Sequence, residues 1–521
     1  MAEETTAGEM KRSLTLTGIT VNAMALIAPG AFLWTTFQLQ AAQIAGSKST
    51  APDMWTGLAF ALILAFLTAY SYSELARIYP DAGAGSSYYF AEAALLDKEK
   101  PQHRKYARAA KLTIGWISHL YYWIYPGIMV AFTATLAGYI YTTVTNGKVL
   151  GWGALSGFAV VFALITGYIA YRGVSGSTNA AIAVNVIQIT TLVAFSVVAI
   201  IFRTSHQHLA GGYEIHHGVS IFIPQSFLHV IYQSTIAILL LVGFESVTAL
   251  GAEALRPEKD IKRGVLLSLL IQGGICYLFE YFAANYVVGG ATITGKAADG
   301  TALSGYGAAG VSGAPIGDIV HTIGNKMLGG TGTTLALIMA VTVMLALIGT
   351  TLACLNTGVR VTYAMARDKE MPGILGLLHG KFATPHGGIW VLTGVSAVLG
   401  VIGAKGVFTL TLITLASNTG TFLVYGMSCV ITIMAFASRH DRHVLKHYVV
   451  PGLGLFMNIA ELLGIIYLAV KSGGDASKEA YYALGAVVVW IIVGVLWVAI
   501  NPNMRGKKVL EERDRVSLGI A

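Results

Sequence analysis

Glu245 is the residue in this chain whose type and setting most clearly suggest chemistry, because it lies in an otherwise apolar run, residues 236–249. A carboxylate at membrane depth is costly unless it faces a partner or a wet cavity, so such a residue usually marks a working site. Gly243 precedes it and offers a point at which a helix can unwind. A second apolar run, residues 17–39, is interrupted by Pro29 and the glycine after it. Two broken helices in corresponding positions are typical of a membrane transporter's binding site.

The first break predicts a specific arrangement of peptide groups. Pro29 has no N–H and clashes with the preceding turn, so an unwound turn exposes the carbonyls of residues 26–28. A new half-helix starting near Ala31 would direct the N–H groups of Gly30, Ala31 and Phe32 at an anion such as a carboxylate. The freed carbonyls suit an ammonium group or a small cation. The alternative is a plain proline kink, which is common in membrane helices.

The composition places the whole chain in a bilayer. Of its 521 residues, 55% are hydrophobic and 12% are charged, whereas a soluble domain has about 25% charged residues. Twelve apolar segments approach the roughly 20 residues that span a hydrocarbon core. They are 15–40, 52–79, 112–143, 152–171, 178–202, 227–252, 264–289, 332–364, 387–404, 407–436, 449–470 and 480–500.

The net charge of +8 is best interpreted from where the basic residues lie along the chain. With a cytoplasmic N-terminus, the outside loops hold eight of the 34 Lys and Arg residues and the inside segments hold the remaining 26. This asymmetry predicts that both termini are cytoplasmic, and it argues against nucleic acid as a partner. The three cysteines fall within predicted spans, so neither a structural disulfide nor a metal site is expected.

Three further stretches carry a resemblance to a known family. They are Pro80-Asp-Ala-Gly-Ala-Gly-Ser-Ser-Tyr-Tyr89 after the second span, Gly243-Phe-Glu-Ser-Val-Thr-Ala-Leu-Gly-Ala-Glu253 with Arg256-Pro-Glu-Lys-Asp-Ile261 after the sixth, and Arg360-Val-Thr-Tyr-Ala-Met-Ala-Arg-Asp368 with Met371-Pro372 after the eighth. In this order the chain resembles the amino acid–polyamine–organocation (APC) superfamily of permeases. The resemblance covers at least the first ten spans.

The resemblance implies an all-α integral membrane protein with 12 transmembrane helices. It implies a five-plus-five inverted repeat, residues 15–202 and 227–436, with discontinuous helices 1 and 6, two peripheral helices in 449–500, and cytoplasmic tails 1–14 and 501–521. The implied function is secondary transport of an amino acid across the plasma (inner) membrane by alternating access, and not an enzyme activity. Uptake versus exchange, and monomer versus homodimer, stay open.

One departure from the family keeps a second substrate class open. Many members have Gly-Ser-Gly in the first break, whereas this chain has Ala28-Pro29-Gly30, which removes one amide and one hydroxyl from the carboxylate cradle. A polyamine or another organic amine is therefore the alternative substrate. Since Glu245 is the one confidently placed cavity acid, and a polyamine favours several, the amino acid is preferred.

The predicted substrate site combines backbone from the two breaks with two aromatic side chains. Phe244 is a candidate lid or specificity wall, and Tyr125 is a weaker candidate for which helix packing is an equally good explanation. The predicted substrate-binding residues are Ala28, Gly30, Ala31, Phe32, Gly243, Phe244, Glu245 and Tyr125.

Two coupling ions are considered. Burial makes a carboxyl such as Glu245 able to take up and release protons near neutrality, which predicts proton coupling, and the same group could pair with a substrate ammonium. The alternative is a sodium site formed by Thr350, Thr351 and a carbonyl near Ala28, although threonines in helices more often bond to their own helix's carbonyls. No organic cofactor is expected. The fifth span has no lysine where some proton-coupled members carry one, and Gln188 falls near that place.

Several other polar residues are given structural interpretations. Glu74 is expected to pair with Arg77 or with a base of an inner loop, and His119 to be a satisfied interior histidine. Glu280 and Glu461 lie within spans and have no assigned role. The histidine-rich loop from His206 to His217 is expected to be a solvated loop rather than a metal site. A channel or a membrane enzyme is disfavoured because neither a ring of pore charges nor a catalytic cluster is visible.

Overall fold

The computed structural model describes residues 14–45, 48–80, 86–96, 105–173, 178–206, 218–297, 299–382 and 384–501. The predicted tails, apart from Leu14 and Asn501, and the histidines at 208, 216 and 217 lie outside these residues. The described chain is helical, with two small antiparallel sheets. Their strands are β1 Ile44–Ala45, β2 Lys48–Ser49, β3 Thr294–Lys296 and β4 Ala302–Ser304.

Eighteen α-helices follow one another among the described residues. They are α1 Leu16–Leu26, α2 Pro29–Ala41, α3 Met54–Ile78, α4 Ser87–Leu96, α5 Lys105–Tyr122, α6 Tyr125–Val144, α7 Trp152–Tyr171, α8 Thr178–Ser205, α9 Phe227–Ala237, α10 Pro257–Ser268, α11 Leu278–Val288, α12 Gly305–Val311, α13 Pro315–Met327, α14 Gly332–Arg367, α15 His386–Gly403, α16 Val407–Phe436, α17 Val450–Lys471 and α18 Gly474–Ile500. Shorter 3₁₀ segments are Ala51–Asp53, Gly218–Phe222, Ile238–Leu240, Phe244–Glu253 and Gly373–Gly376, and π-helical segments are Leu269–Tyr277 and Leu445–Val449.

Eleven helical stretches in the described part of the chain are long and apolar enough to cross a membrane. Each coincides with one of the predicted spans from the second to the twelfth. The first predicted span, 15–40, contains the two shorter helices α1 and α2. The chain is therefore a multi-pass helical membrane protein, as its composition predicts, because only helices and closed barrels satisfy all backbone groups inside lipid.

Burial separates central from peripheral helices. In Phe227–Thr248, 83% of the most apolar window is buried, whereas only 17% is buried in Gly474–Ile500. The side chains that α18 exposes, such as Val488 and Ile492, are apolar and suit contact with lipid tails. The sixth span thus lies at the centre of the bundle and the last one at its edge.

A buried ionic cluster joins α4, α5 and the end of α14. Lys111 Nζ lies 2.8 Å from Glu92 Oε2 and 2.6 Å from Asp368 Oδ2. The Tyr88 hydroxyl lies 2.8 Å from a carboxylate oxygen of Asp368 and of Glu370. Because the Lys111 side chain is only 4% exposed, its charge depends on these acids. Burial raises the pKa of Glu92 to about 7 and that of Glu370 to about 6, although Lys111 opposes both shifts.

We predict that Lys111→Met strongly destabilises the protein, because the buried Glu92 and the partly buried Asp368 lose their cation. The free energy of unfolding should fall by about 3–5 kcal/mol, seen as a lower thermal midpoint in detergent. The matched control is Lys478→Met, which removes an exposed pair with Asp475 at 3.3 Å. That variant should stay within about 1 kcal/mol of the wild type. An equal loss in both variants would contradict the assignment of the cluster.

The raised pKa of Glu92 also predicts a pH dependence of stability. Between its ordinary value of 4.5 and about 7, the folded protein holds a proton that the unfolded chain has released. The contribution of this carboxyl to the free energy of unfolding is therefore complete below pH 4.5 and is lost as the pH rises through 7. Glu92→Gln should remove this slope when thermal midpoints are measured from pH 4.5 to 7.5. Parallel curves for the two proteins would show that Glu92 does not titrate in this window.

Candidate functional site

The first predicted span is broken between α1 and α2. Ile27 and Ala28 are not helical, and the second helix begins at Pro29. The prediction of a half-helix starting near Ala31 is therefore wrong by two residues, because the fixed φ of proline and its missing N–H suit the first position of a helix.

Two of the three amides predicted to be free at this break are paired. The Gly30 N–H donates to Gln188 Oε1 at 3.1 Å, and the Ala31 N–H donates to the Ala28 carbonyl at 3.1 Å. The backbone of Phe32 lies within the first turn of α2. In this conformation the break therefore offers less to an anion than the sequence predicts.

The sixth span is broken where Gly243 and Phe244 predict it. The helix α9 passes into the 3₁₀ segment Ile238–Leu240, and a second 3₁₀ segment begins at Phe244. Gly243 has a φ of +125°, a backbone conformation that residues with a side chain rarely adopt. A Cβ added there would lie 2.6 Å from Cβ of Leu26, the last residue of α1. The two breaks are therefore in direct contact.

Glu245 lies at this junction and is fully buried. Its Oε2 accepts hydrogen bonds from the Gly243 N–H at 3.0 Å and from the Tyr425 hydroxyl at 2.7 Å. Its Oε1 accepts no hydrogen bond of normal length among the described residues, and the hydroxyls of Tyr121 and Tyr122 make none, although the Tyr122 hydroxyl interacts with the carboxyl at longer range. One carboxylate oxygen and two hydroxyls thus have unused hydrogen-bonding capacity.

These groups surround a small enclosed cavity of 10 Å³. Its lining includes Leu26, Tyr121, Tyr122, Tyr125, Val242, Gly243, Glu245, Ser246, Cys354 and Thr357. A space of this size holds about one water molecule. The structure is therefore closed around Glu245, and a solute would enter only after the surrounding helices move apart.

The two predicted aromatic residues take different places. The Tyr125 hydroxyl lies 2.6 Å from the Leu239 carbonyl oxygen and 3.2 Å from that of Val242, and its side chain lines the cavity. Tyr125 therefore satisfies carbonyls that the break frees. The Phe244 ring packs against those of Tyr72 and Tyr425, with centroids 6.0 and 5.2 Å away, and does not line the cavity in this conformation.

A second cavity, of 270 Å³, lies between α1, α8 and α14 and is lined by Ala28 and Thr350. The Thr350 hydroxyl donates to the Ala25 carbonyl at 2.9 Å. Thr351 instead donates to Leu347 of its own helix at 2.6 Å and is not part of this lining, so the sodium site stays a prediction. Among the described residues, no carboxylate lines this cavity. The side-chain amide of Gln188 is one of the polar groups of the lining.

Four other polar residues have settings that bear on their predicted roles. Glu74 pairs with Arg77 at 2.8 Å and with Lys262, which confirms its predicted structural role. The His119 ring nitrogens lie 2.6 Å from the Gly115 carbonyl oxygen and 3.1 Å from the Thr362 hydroxyl, so this histidine is satisfied. Glu461 accepts a hydrogen bond from Ser234. Neither carboxylate oxygen of Glu280 has a hydrogen-bond partner within the described residues.

Neither Tyr425, the partner of Glu245, nor Tyr121 and Tyr122 were predicted from the sequence as part of this site. These tyrosines come from the third and tenth spans, far from Glu245 in sequence. No local pattern marks a tyrosine as facing the centre of the bundle. Only the packing of the helices brings the three hydroxyls to one carboxylate.

A match to a protein-family profile shows which family the chain belongs to. The profile described as amino acid permease matches residues 18–509. The chain belongs to the amino acid permease family. It is a transporter and not an enzyme, in agreement with the resemblance seen in its motifs.

Three curated relatives of this permease are similar over most of their length. The branched-chain amino acid permease BcaP of Bacillus subtilis is 24% identical over 507 residues, covering 94% of this chain and 93% of the relative. The methylthioribose transporter of the same organism is 26% identical, covering 85% and 86%. The low-affinity putrescine importer PlaP of Escherichia coli K12 is 24% identical, covering 94% of each chain. All three names denote transporters of small molecules.

We predict that Gly243→Ala destabilises this permease and blocks its function. The added Cβ would collide with Leu26, and alanine would have to adopt a strained φ, at a cost of about 1–3 kcal/mol or more. Thermal unfolding in detergent and uptake into proteoliposomes measure both effects. Gly394→Ala, a helical glycine whose Cβ would meet nothing within 4 Å, is the control and should behave like the wild type. Tolerance of alanine at Gly243 would contradict the close contact of the two breaks.

Proposed function

We propose that this permease is a secondary transporter that carries an amino acid across the plasma membrane by alternating access, coupled to protons through Glu245. The observation that carries the proposal is the setting of this carboxyl. It is fully buried at the junction of two helix breaks, and one of its oxygens accepts no hydrogen bond of normal length among the described residues. Burial favours the protonated form of such a group, and opening of the site to water favours its ionisation.

The arrangement of helices supports a twelve-span, five-plus-five architecture. If α1 and α2 together form one broken span, the eleven apolar stretches bring the total to twelve. The breaks then fall in spans one and six, which are corresponding positions of two sets of five spans. Inverted repeats of this kind place substrate sites where discontinuous helices meet.

The distribution of basic residues supports cytoplasmic termini. This orientation puts residues 146–151 and Lys405 on the outside. Asn146, Val149 and Lys405 line a 760 Å³ cavity at that end of the bundle, and its lining also includes Asp318 and His321. A wide outer cavity above a closed central one suits a transporter that receives its solute from outside and occludes it before release.

An amine without a carboxylate, such as a polyamine, is the second candidate substrate. The specific observation in its favour is that Gln188 occupies the Gly30 N–H, while Pro29 has no N–H to offer. The putrescine importer among the relatives fits the same reading. The unused oxygen of Glu245 suits an ammonium group, which both candidate substrates have.

Transport in sodium-free proteoliposomes tests the coupling. With an inside-alkaline pH gradient, the wild type should accumulate labelled leucine or putrescine, whichever it carries. Accumulation should fall at least tenfold in Glu245→Gln, since a glutamine amide neither takes up nor releases a proton near neutral pH. The matched control is Glu461→Gln, another fully buried carboxyl, which should retain it. Accumulation that needs sodium, or that persists in Glu245→Gln, would contradict proton coupling through this residue.

Competition between matched pairs of solutes tests the substrate class. Leucine and 3-methylbutylamine share a side chain, as do ornithine and putrescine, and each pair differs by one carboxylate. A transporter for amino acids should be inhibited by leucine or ornithine at least tenfold more strongly than by the corresponding amine, because binding also uses the carboxylate. The reverse order would establish the amine as the substrate and would explain why Gln188 occupies the amide of the first break.

A further inference from the structure

The turn before α4 has an unusual backbone conformation. Ser86 has a φ of +50°, in the left-handed region that favours glycine. Strained residues of this kind persist only where the surrounding structure holds them, and they cluster at switch regions and ligand clamps. Ser86 is buried, with 2% of its surface exposed, so its hydroxyl needs a partner within the protein.

The partner of Ser86 belongs to the half-helix that contains Glu245. Ser86 Oγ lies 2.7 Å from the hydroxyl oxygen of Thr248, and Thr248 donates to the Glu245 carbonyl at 2.6 Å. Since the single hydroxyl hydrogen of Thr248 serves that carbonyl, Ser86 is the donor between the two hydroxyls. Two hydrogen bonds thus connect the turn before α4 with the backbone of Glu245.

The start of α4 is held on two sides, which explains why the strain persists. Ser87 Oγ lies 2.5 Å from the Tyr72 hydroxyl of α3. On the other side, Tyr88 reaches Asp368 and Glu370 of the ionic cluster described above. These contacts fix the two residues that directly follow Ser86.

The Ser86 hydroxyl is not required to begin α4. The first turn of that helix is closed by the Ser86 carbonyl, which accepts from the N–H groups of Tyr89 and Phe90 at 3.1 and 3.0 Å. Any residue with this backbone supplies the same carbonyl, and glycine would supply it without strain. The side chain of Ser86 therefore serves the contact with Thr248.

We propose that Ser86 is a positioning residue for Glu245. Its hydroxyl holds the segment Phe244–Glu253 in the closed position through Thr248, and this contact breaks when the site opens toward the end of the bundle that contains α4. The left-handed turn relaxes when the contact breaks, which lowers the cost of opening. The transport consequence of this role rests on the function proposed above, whereas the structural contact can be tested without any solute.

Hydrogen exchange of the full-length protein in nanodiscs tests the contact directly. Ser86→Ala keeps the strained backbone but loses the hydroxyl, and Ser86→Gly loses both. Thr248→Val removes the partner, and Thr248→Ser retains it. Exchange in peptides covering residues 244–253 should rise about three- to tenfold in Ser86→Ala and Ser86→Gly, as expected for one lost hydrogen bond. It should rise at least as much in Thr248→Val, which also loses the bond to the Glu245 carbonyl. It should stay at the wild-type rate in Thr248→Ser and in Ser205→Ala, an exposed control.

Two comparisons separate a positioning role from a merely structural one. Ser86→Gly should have a higher thermal midpoint than Ser86→Ala, yet both should show the same faster exchange at residues 244–253. The double variant Ser86→Ala with Thr248→Val should be no worse than Thr248→Val alone, because Thr248→Val already removes the contact with Ser86. Exchange that follows overall stability, or losses that multiply in the double variant, would overturn the proposal.

The transport consequence is measured as the initial rate of labelled leucine and of labelled putrescine uptake into proteoliposomes. For whichever probe the wild type carries, the variants that lose the hydroxyl contact should change the maximal rate about three- to tenfold and leave KM nearly unchanged. Hydrogen exchange needs neither solute nor proton gradient. Failure of proton coupling in Glu245→Gln therefore leaves the test of Ser86 intact, and an unchanged exchange rate in Ser86→Ala would refute Ser86 alone.

Discussion

The rest of the structure depends on one constraint, which is that peptide groups freed at a helix break inside an apolar bundle must find partners within the protein. Both breaks meet this requirement with side chains from other helices. The Tyr125 hydroxyl lies against the carbonyls of the sixth span, and Gln188 accepts from Gly30. Thr350 and Gln272 donate to the last carbonyls of α1, each at 2.9 Å. These four polar side chains on the surrounding helices therefore serve the two helix breaks.

Glu245 lies where the two breaks meet, and its own pairing is incomplete. One oxygen is occupied by Gly243 and Tyr425, and the other faces a cavity with room for about one water molecule. A buried carboxylate with unused capacity is costly to keep ionised, so its charge state responds to hydration and to a bound cation. The contact of Leu26 with Gly243 joins the two breaks, which means that movement of one half-helix is felt by the other.

The short helix α4 extends this coupling to one end of the bundle. Ser86, just before α4, contacts the segment that contains Glu245, and Ser87 contacts α3. Glu92, later in α4, belongs to the cluster around Lys111. Lys369, which lies between two acids of that cluster, also has a positive φ, of 61°. Strained turns thus flank the cluster on both sides. The family motifs that the sequence shows in the loops after the second and eighth spans therefore meet in space at one set of contacts.

The spans, the two breaks and the position of the key acid were all accessible from the sequence. Length and apolar composition define a membrane helix because lipid allows few other structures. Proline and glycine mark breaks through their own backbone chemistry, and a lone glutamate such as Glu245 is conspicuous in an apolar run. The pairing of Glu74 with Arg77 was accessible for the same reason, since the two residues are neighbours on one helix.

The partners that come from distant spans could be decided only by the tertiary structure. Tyr425 binds Glu245 across 180 residues, and Gln188 binds Gly30 across 158. The strained backbone of Ser86 also depends on neighbours that local sequence does not reveal. Periodicity and composition describe each helix by itself. Which face meets which partner is set by close packing, where a displacement of one ångström decides whether a hydrogen bond exists.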